Sequence, residues 1–167
     1  RSLLMSALPF AITLGILPYV IRIEKFMVAA SGDATLGAVF HVAQLAWLAG
    51  LVVPAAIRSA LLPVLGAARD DPVRHQREMN QATDLCFGLL PYGLFGGYFI
   101  MTVFAPLAFP SSYLDSTYGA SAVDVFTVLL AGWALTLLAT PTYTSLMAGP
   151  RPWRFTLFIV LVLLAAV

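Results

Sequence analysis

The chain has 167 residues, of which 60% are hydrophobic and 10% charged, with a net charge of +1 and a mean hydropathy of +0.91. Soluble domains carry about one-quarter charged residues, so this composition excludes a water-soluble surface. The near-zero net charge carries no nucleic-acid signal, and the lone cysteine, Cys86, excludes a disulfide framework or a cysteine metal site.

Apolar runs at 2–21, 34–57, 85–114, 125–150 and 155–167 set the predicted helices. A span needs about 20 residues, because about 30 Å of hydrocarbon is crossed at about 1.5 Å per residue. Four runs qualify, and the fifth holds 13 residues. The chain opens on Arg1 with no signal-peptide pattern, and the last run ends without a polar flank. A piece of a larger membrane protein is expected. The sequence thus predicts an all-α membrane protein: a polytopic bundle of about five transmembrane helices forming one domain over 1–167.

The first predicted helix covers about 3–30 and holds the motif Arg22-Ile23-Glu24-Lys25. Ionisable residues inside such a segment are costly in lipid and usually face a bundle interior or a water-filled cavity. Helical spacing puts Ala11, Gly15, Pro18, Arg22, Lys25, Ala29 and Gly32 on one stripe, with Glu24 about 200° from Arg22. Arg22 and Lys25 read either as cavity-lining or as interfacial side chains snorkelling to headgroups.

Ser31-Gly32-Asp33 is a tight turn before a second helix at about 34–66, whose stripe is Gly37, His41, Gln44, Leu48, Leu51, Ala55 and Arg58. His41 reads as an interior histidine ahead of a proton relay. Arg58 reads as a snorkelling residue, with an anion contact as the alternative. A charged loop ends in Asp71-Pro72, a helix cap followed by a proline suited to a first turn. The third helix is expected over about 78–106, with the stripe Asp84, Gly88, Pro91, Phe95, Tyr98 and Thr102. Asp84 reads mainly as a residue favouring the dipole at that helix's start. The motif Gly93-x-x-x-Gly97 matches a close-packing pattern, weakly.

A turn-rich loop from Pro110 to Gly119 leads to a fourth helix at about 120–148, with Trp133, Thr136, Thr140 and Tyr143 in one stripe. Gly149-Pro150-Arg151-Pro152 breaks the chain before a fifth helix at about 153–167. Each helix has one face less lipid-like than the rest, so a bundle with a polar interior is expected. Pro9 and Pro18, Pro54 and Pro63, Pro91, and Pro141 predict a kink in every complete helix. Arg1, Arg69, Arg74, Arg77, Arg151 and Arg154 fall in alternate connections, and the other connections hold no Lys or Arg. That alternation places the amino end of the chain in the cytoplasm.

No paired-carboxylate loop, phosphate-binding glycine loop, metal spacing or nucleophile–histidine–acid set is present, so an enzyme is not expected. Three segments instead resemble the carboxyl-terminal half of bacterial polysaccharide (oligosaccharide-lipid) flippases, of the multidrug/oligosaccharidyl-lipid/polysaccharide exporter superfamily. The first is Ala7-Leu8-Pro9-Phe10, then Arg22-Ile23-Glu24-Lys25-Phe26-Met27-Val28, with Gly32-Asp33 and Leu36-Gly37. The second is Leu61-Leu62-Pro63-Val64-Leu65 and its charged loop. The third is Phe104-Ala105-Pro106-Leu107 followed by Ala148-Gly149-Pro150-Arg151.

The resemblance implies part of one lobe of a two-lobe, inverted V-shaped transporter in the bacterial inner membrane. It implies a polyprenyl-pyrophosphate-linked glycan as cargo for cell-surface polysaccharide biosynthesis, membrane lipid as a partner, H+ or Na+ as a coupling ion, and no cofactor. Arg22, Lys25, Glu24, Arg58 and His41 are the substrate-binding candidates, with Arg22 and Lys25 attracting the pyrophosphate. The rivals are a multidrug or cation antiporter of the same superfamily, a membrane glycan polymerase, and a membrane protein that transports nothing.

Overall fold

The computed structural model describes residues 34–114 and 121–149, together with 28, 30, 157, 160 and 161. The predicted helices at 3–30 and 153–167 lie almost wholly outside the described residues. Within the described residues the architecture is all-helical: α1 (Ala34–Gly50), α2 (Val52–Ala67), α3 (Pro72–Phe99), a π-helical segment (Ile100–Phe104), α4 (Ala105–Ala108), a 3-10 turn (Ser111–Tyr113) and α5 (Ala122–Ala148). Three stretches, Thr35–Ala67, Pro72–Ala108 and Ala122–Ala148, are long and apolar enough to cross a membrane.

Local chemistry sets the ends of these helices. Asp71 is extended, and its carboxylate accepts the Arg74 N–H at 3.0 Å, while Pro72 fills the first helical position, where an N–H has no partner to lose. The third helix therefore starts at Pro72, not near 78, and Arg74 and Arg77 belong to its opening turns instead of a loop. Ser121 and Asp124 form a reciprocal capping box at the start of α5. The Ser121 hydroxyl accepts the Asp124 N–H at 3.2 Å, and the Asp124 carboxylate accepts the Ser121 N–H at 3.1 Å. Gly149 closes the same helix.

The predicted 34–66 helix divides at Leu51, a single turn residue that keeps right-handed helical angles (φ −66°, ψ −12°), so Thr35–Ala67 stays one apolar span. Pro54 has no N–H, so the carbonyl four residues earlier, that of Gly50, loses its helical donor. Pro63, Pro91 and Pro141 instead lie inside α2, α3 and α5, which run on through them. The π-helical segment precedes Pro106, which has no N–H to give the Thr102 carbonyl four residues earlier. The Thr102 hydroxyl bonds back to the Tyr98 carbonyl at 2.9 Å.

Helix α5 packs against α1, α2 and α3 and is the centre of the described bundle. The buried residues form two separate clusters. One joins Val39, Val42 and Ala43 of α1 to Cys86 of α3 and to Phe126, Leu130, Trp133 and Leu137 of α5. The other joins Leu61 and Leu65 of α2 to Ala82 of α3, flanked by Met79 and Ala148.

Candidate functional site

The register of α3 against α5 is fixed at three levels. His75 Nε2 lies 2.9 Å from the Ser145 hydroxyl. A Cβ on Gly93 would stand 1.9 Å from Trp133 Cη2, and one on Gly97 would stand 3.1 Å from Leu130 Cδ1. The two helices are thus antiparallel, and Gly93-x-x-x-Gly97 is the close-approach motif its spacing indicated. His75, Met79, Ala82, Cys86, Gly93 and Gly97 share the face of α3 turned to α5. Asp84 lies about 180° from Gly93 around the helix.

That geometry divides the predicted stripes. On α5 the stripe faces inward: Trp133 and Thr140 are buried, and Thr136 and Tyr143 are half-buried. Its threonines are satisfied within the helix. The Thr136, Thr140 and Thr144 hydroxyls donate to the carbonyls of Gly132, Thr136 and Thr140 at 2.9, 2.8 and 2.6 Å. The Tyr143 hydroxyl lies 3.3 Å from Thr140 Oγ1. With their protons committed to backbone, the three threonine hydroxyls keep acceptor capacity only.

The α3 stripe turns the other way. Asp84, Gly88, Pro91, Phe95 and Tyr98 are exposed and Thr102 is half-buried, all pointing away from α5. A shallow groove runs along its start, lined by Val73, Gln76, Arg77, Asn80, Gln81 and Asp84. Asp84 is the thirteenth residue of α3, beyond the reach of the helix-start dipole, which fades within the first turn. The expectation that it serves that dipole is corrected accordingly. By the α3–α5 register, Asp84 is level with the region of Thr140, inside both apolar spans.

Of the predicted binding residues, Arg22, Glu24 and Lys25 lie outside the described residues. His41 is exposed on α1, not interior, because α1 turns Val39, Val42 and Ala43 towards α5. Arg58 is half-buried on α2. Seventeen residues at about 1.5 Å each separate the two by about 25 Å, on opposite sides of the Leu51 break, so the fold does not bring them together. Gln44 of the same stripe is buried at 2% exposure, and among the described residues its Oε1 has no hydrogen-bond partner, nor does the buried Trp47 Nε1 one turn later. Among the described residues no group of three metal-ligating side chains gathers.

Sequence spacing missed one polar contact at the centre of the fold. Trp133 Nε1–H donates to the Gly50 carbonyl at 2.8 Å, the same carbonyl that Pro54 leaves without a donor. The signal for it was present in two parts, a proline four residues after a glycine and a tryptophan on an inward stripe. No protein-family model matches the chain, and no curated protein or solved structure matches it.

Proposed function

We propose that this chain is part of a membrane transporter that moves a polyprenyl-pyrophosphate-linked oligosaccharide from the cytoplasmic to the outer leaflet of a bacterial inner membrane. The observation that supports this reading best is the α3 face from Arg77 through Asp84 to Thr102. It is polar, small or aromatic along a helix long enough to span, and it turns away from α5. A carboxylate within a lipid-facing helix costs up to about 2.5–3.5 kcal/mol on insertion scales, the full cost applying at the centre of the span. Such a face is expected to line water or cargo instead. Phe95 and Tyr98 would offer flat apolar surfaces to a sugar ring. Arg22 and Lys25, which share a stripe by spacing, would hold the pyrophosphate, since cations act strongly on phosphate oxygens in a low-dielectric cavity.

The test is charge reversal in the whole protein. Arg22→Glu with Lys25→Glu is expected to abolish surface display of the glycan, and survival of display sinks the reading. Asp84 favours a second reading, an antiporter of the same superfamily that binds a cation at an intramembrane carboxylate. In that case Asp84→Asn abolishes drug or cation export and the reversal at 22 and 25 does not.

A further inference from the structure

The span Thr35–Ala67 is interrupted once, at Leu51, between α1 and α2. The chain does not unravel there. The Leu51 N–H reaches both the Trp47 and Leu48 carbonyls at 3.2 Å, and the Leu51 carbonyl accepts the Ala55 N–H at 3.1 Å. What the interruption costs is the bond to the Gly50 carbonyl, because the residue that would donate to it is Pro54. A carbonyl without a donor is costly in an apolar span, where no water can replace the lost bond. The donor comes from another helix: the Trp133 indole, at 2.8 Å.

The ring can reach that carbonyl only because two glycines make room. A Cβ on Gly50 would stand 3.2 Å from Trp133 Nε1, and a Cβ on Gly93 would stand 1.9 Å from Cη2. The packing also divides at this level. The α1 core residues Val39, Val42 and Ala43 belong to one buried cluster, and the α2 residues Leu61 and Leu65 belong to the other. Of α2, only the half-buried Ile57 touches the first cluster. Each half-helix therefore carries its own contacts to α3 and α5, and a bend at Leu51 moves one half against α5 while the other keeps its packing.

We propose that Leu51 is a hinge within the span and that the Trp133 indole is its latch. The Trp133–Gly50 bond holds α1 and α2 at their present angle. A change in that angle requires the indole N–H to leave the Gly50 carbonyl and its ring to withdraw from the gap at Gly93. Such a hinge allows the two ends of one span to move separately, as a transporter that alternates its access requires. The inference goes beyond the transport reading, because the latch exists whatever the cargo is.

The test is a distance measurement on the whole protein in lipid vesicles, with Cys86→Ser removing the native thiol. Spin labels are placed at Leu45→Cys on α1 and Ala60→Cys on α2, both exposed positions. Pulsed electron resonance should give one narrow distance distribution. Trp133→Phe keeps most of the ring but loses the N–H, and a second distance population is expected. Adding Pro54→Ala restores a backbone N–H to the Gly50 carbonyl and should return a single narrow population. Gly93→Ala ejects the ring without altering its donor, and should also produce the second population. Should Trp133→Phe fail to fold, Gly93→Ala reports the same event. An unchanged distribution in the variants that fold overturns the proposal. So does a second population in Trp133→Phe that Pro54→Ala fails to remove, since the ring's bulk and not its hydrogen bond would then hold the angle.

Discussion

Gly93 and Gly96 stand one turn apart in α3 and meet opposite surroundings. A Cβ on Gly93 would collide with the Trp133 ring at 1.9 Å, one on Gly97 would press on Leu130 Cδ1 at 3.1 Å, and one on Gly96 would meet nothing within 4 Å. Leucine's terminal methyl can give way by a few tenths of an ångström. A tryptophan ring held between α1 and α3 and hydrogen-bonded to the Gly50 carbonyl can do so only by leaving that bond. Gly93→Ala is therefore expected to cost about 1–3 kcal/mol, the range for overpacking a tight interior. Gly97→Ala should cost less than that, and Gly96→Ala should stay within about 0.5 kcal/mol, as surface changes do. Thermal melting of the three variants in detergent checks the order; equal melting temperatures would mean that the indole is not confined as described. The motif was legible as spacing, but its partner was not. Trp133 comes from a helix 40 residues further on, and nothing in a one-turn pattern names which helix will pack on it. His41, read as an interior histidine, is exposed on α1 for a related reason. A polar stripe on α1 identifies a face, and only the apolar face, through Val39, Val42 and Ala43, tells which side meets α5.

At the scale of elements, caps decided boundaries better than composition did. By sequence Arg74 and Arg77 read with the connecting loop, yet charge does not stop a helix. Asp71 and Pro72 do start one, and both were visible. Their weight can be measured. Asp71→Ala and Ser121→Ala should each cost about 1 kcal/mol, whereas Ser121→Gly should cost only a few tenths, the usual ordering for lost caps. Hydrogen exchange localises the effect: Asp71→Ala should lower protection in the first turns of α3 and leave that of α5 unchanged. Equal loss in both helices would show that the cap does not act locally. The prolines were legible as residues but not as kinks. Pro54 coincides with a break, and Pro63, Pro91 and Pro141 do not. The difference is physical. Bulk and a donor from α5 fill the gap that Pro54 opens, so the break is stabilised in place.

At the scale of the molecule, the decisive relation is between two exposed faces. One is the α3 stripe through Asp84 and Phe95, and the other is the outer face of α5 through Val128 and Leu135. Composition alone separates them, since the first carries a carboxylate and the second is aliphatic. Exposure does not: Phe95 is 79% exposed and Leu135 70% exposed within the bundle. If the α3 stripe lines an aqueous path, its surroundings must differ from those of α5. A thiol reports this directly, because it reacts as the thiolate, which forms in water and not in hydrocarbon. With Cys86→Ser as background, Asp84→Cys and Phe95→Cys are expected to react with a charged, membrane-impermeant thiol reagent on the order of tenfold faster than Val128→Cys and Leu135→Cys. Equal, slow reaction at all four positions would place both faces against lipid and remove the basis for a cargo path along α3. Fast reaction at Asp84→Cys alone would confine water to the His75–Ser145 end of the bundle, because Phe95 sits about 16 Å further along the helix. A continuous path therefore requires both positions to react, and the aromatic one is the stricter test, since it lies farther from the charged start of α3.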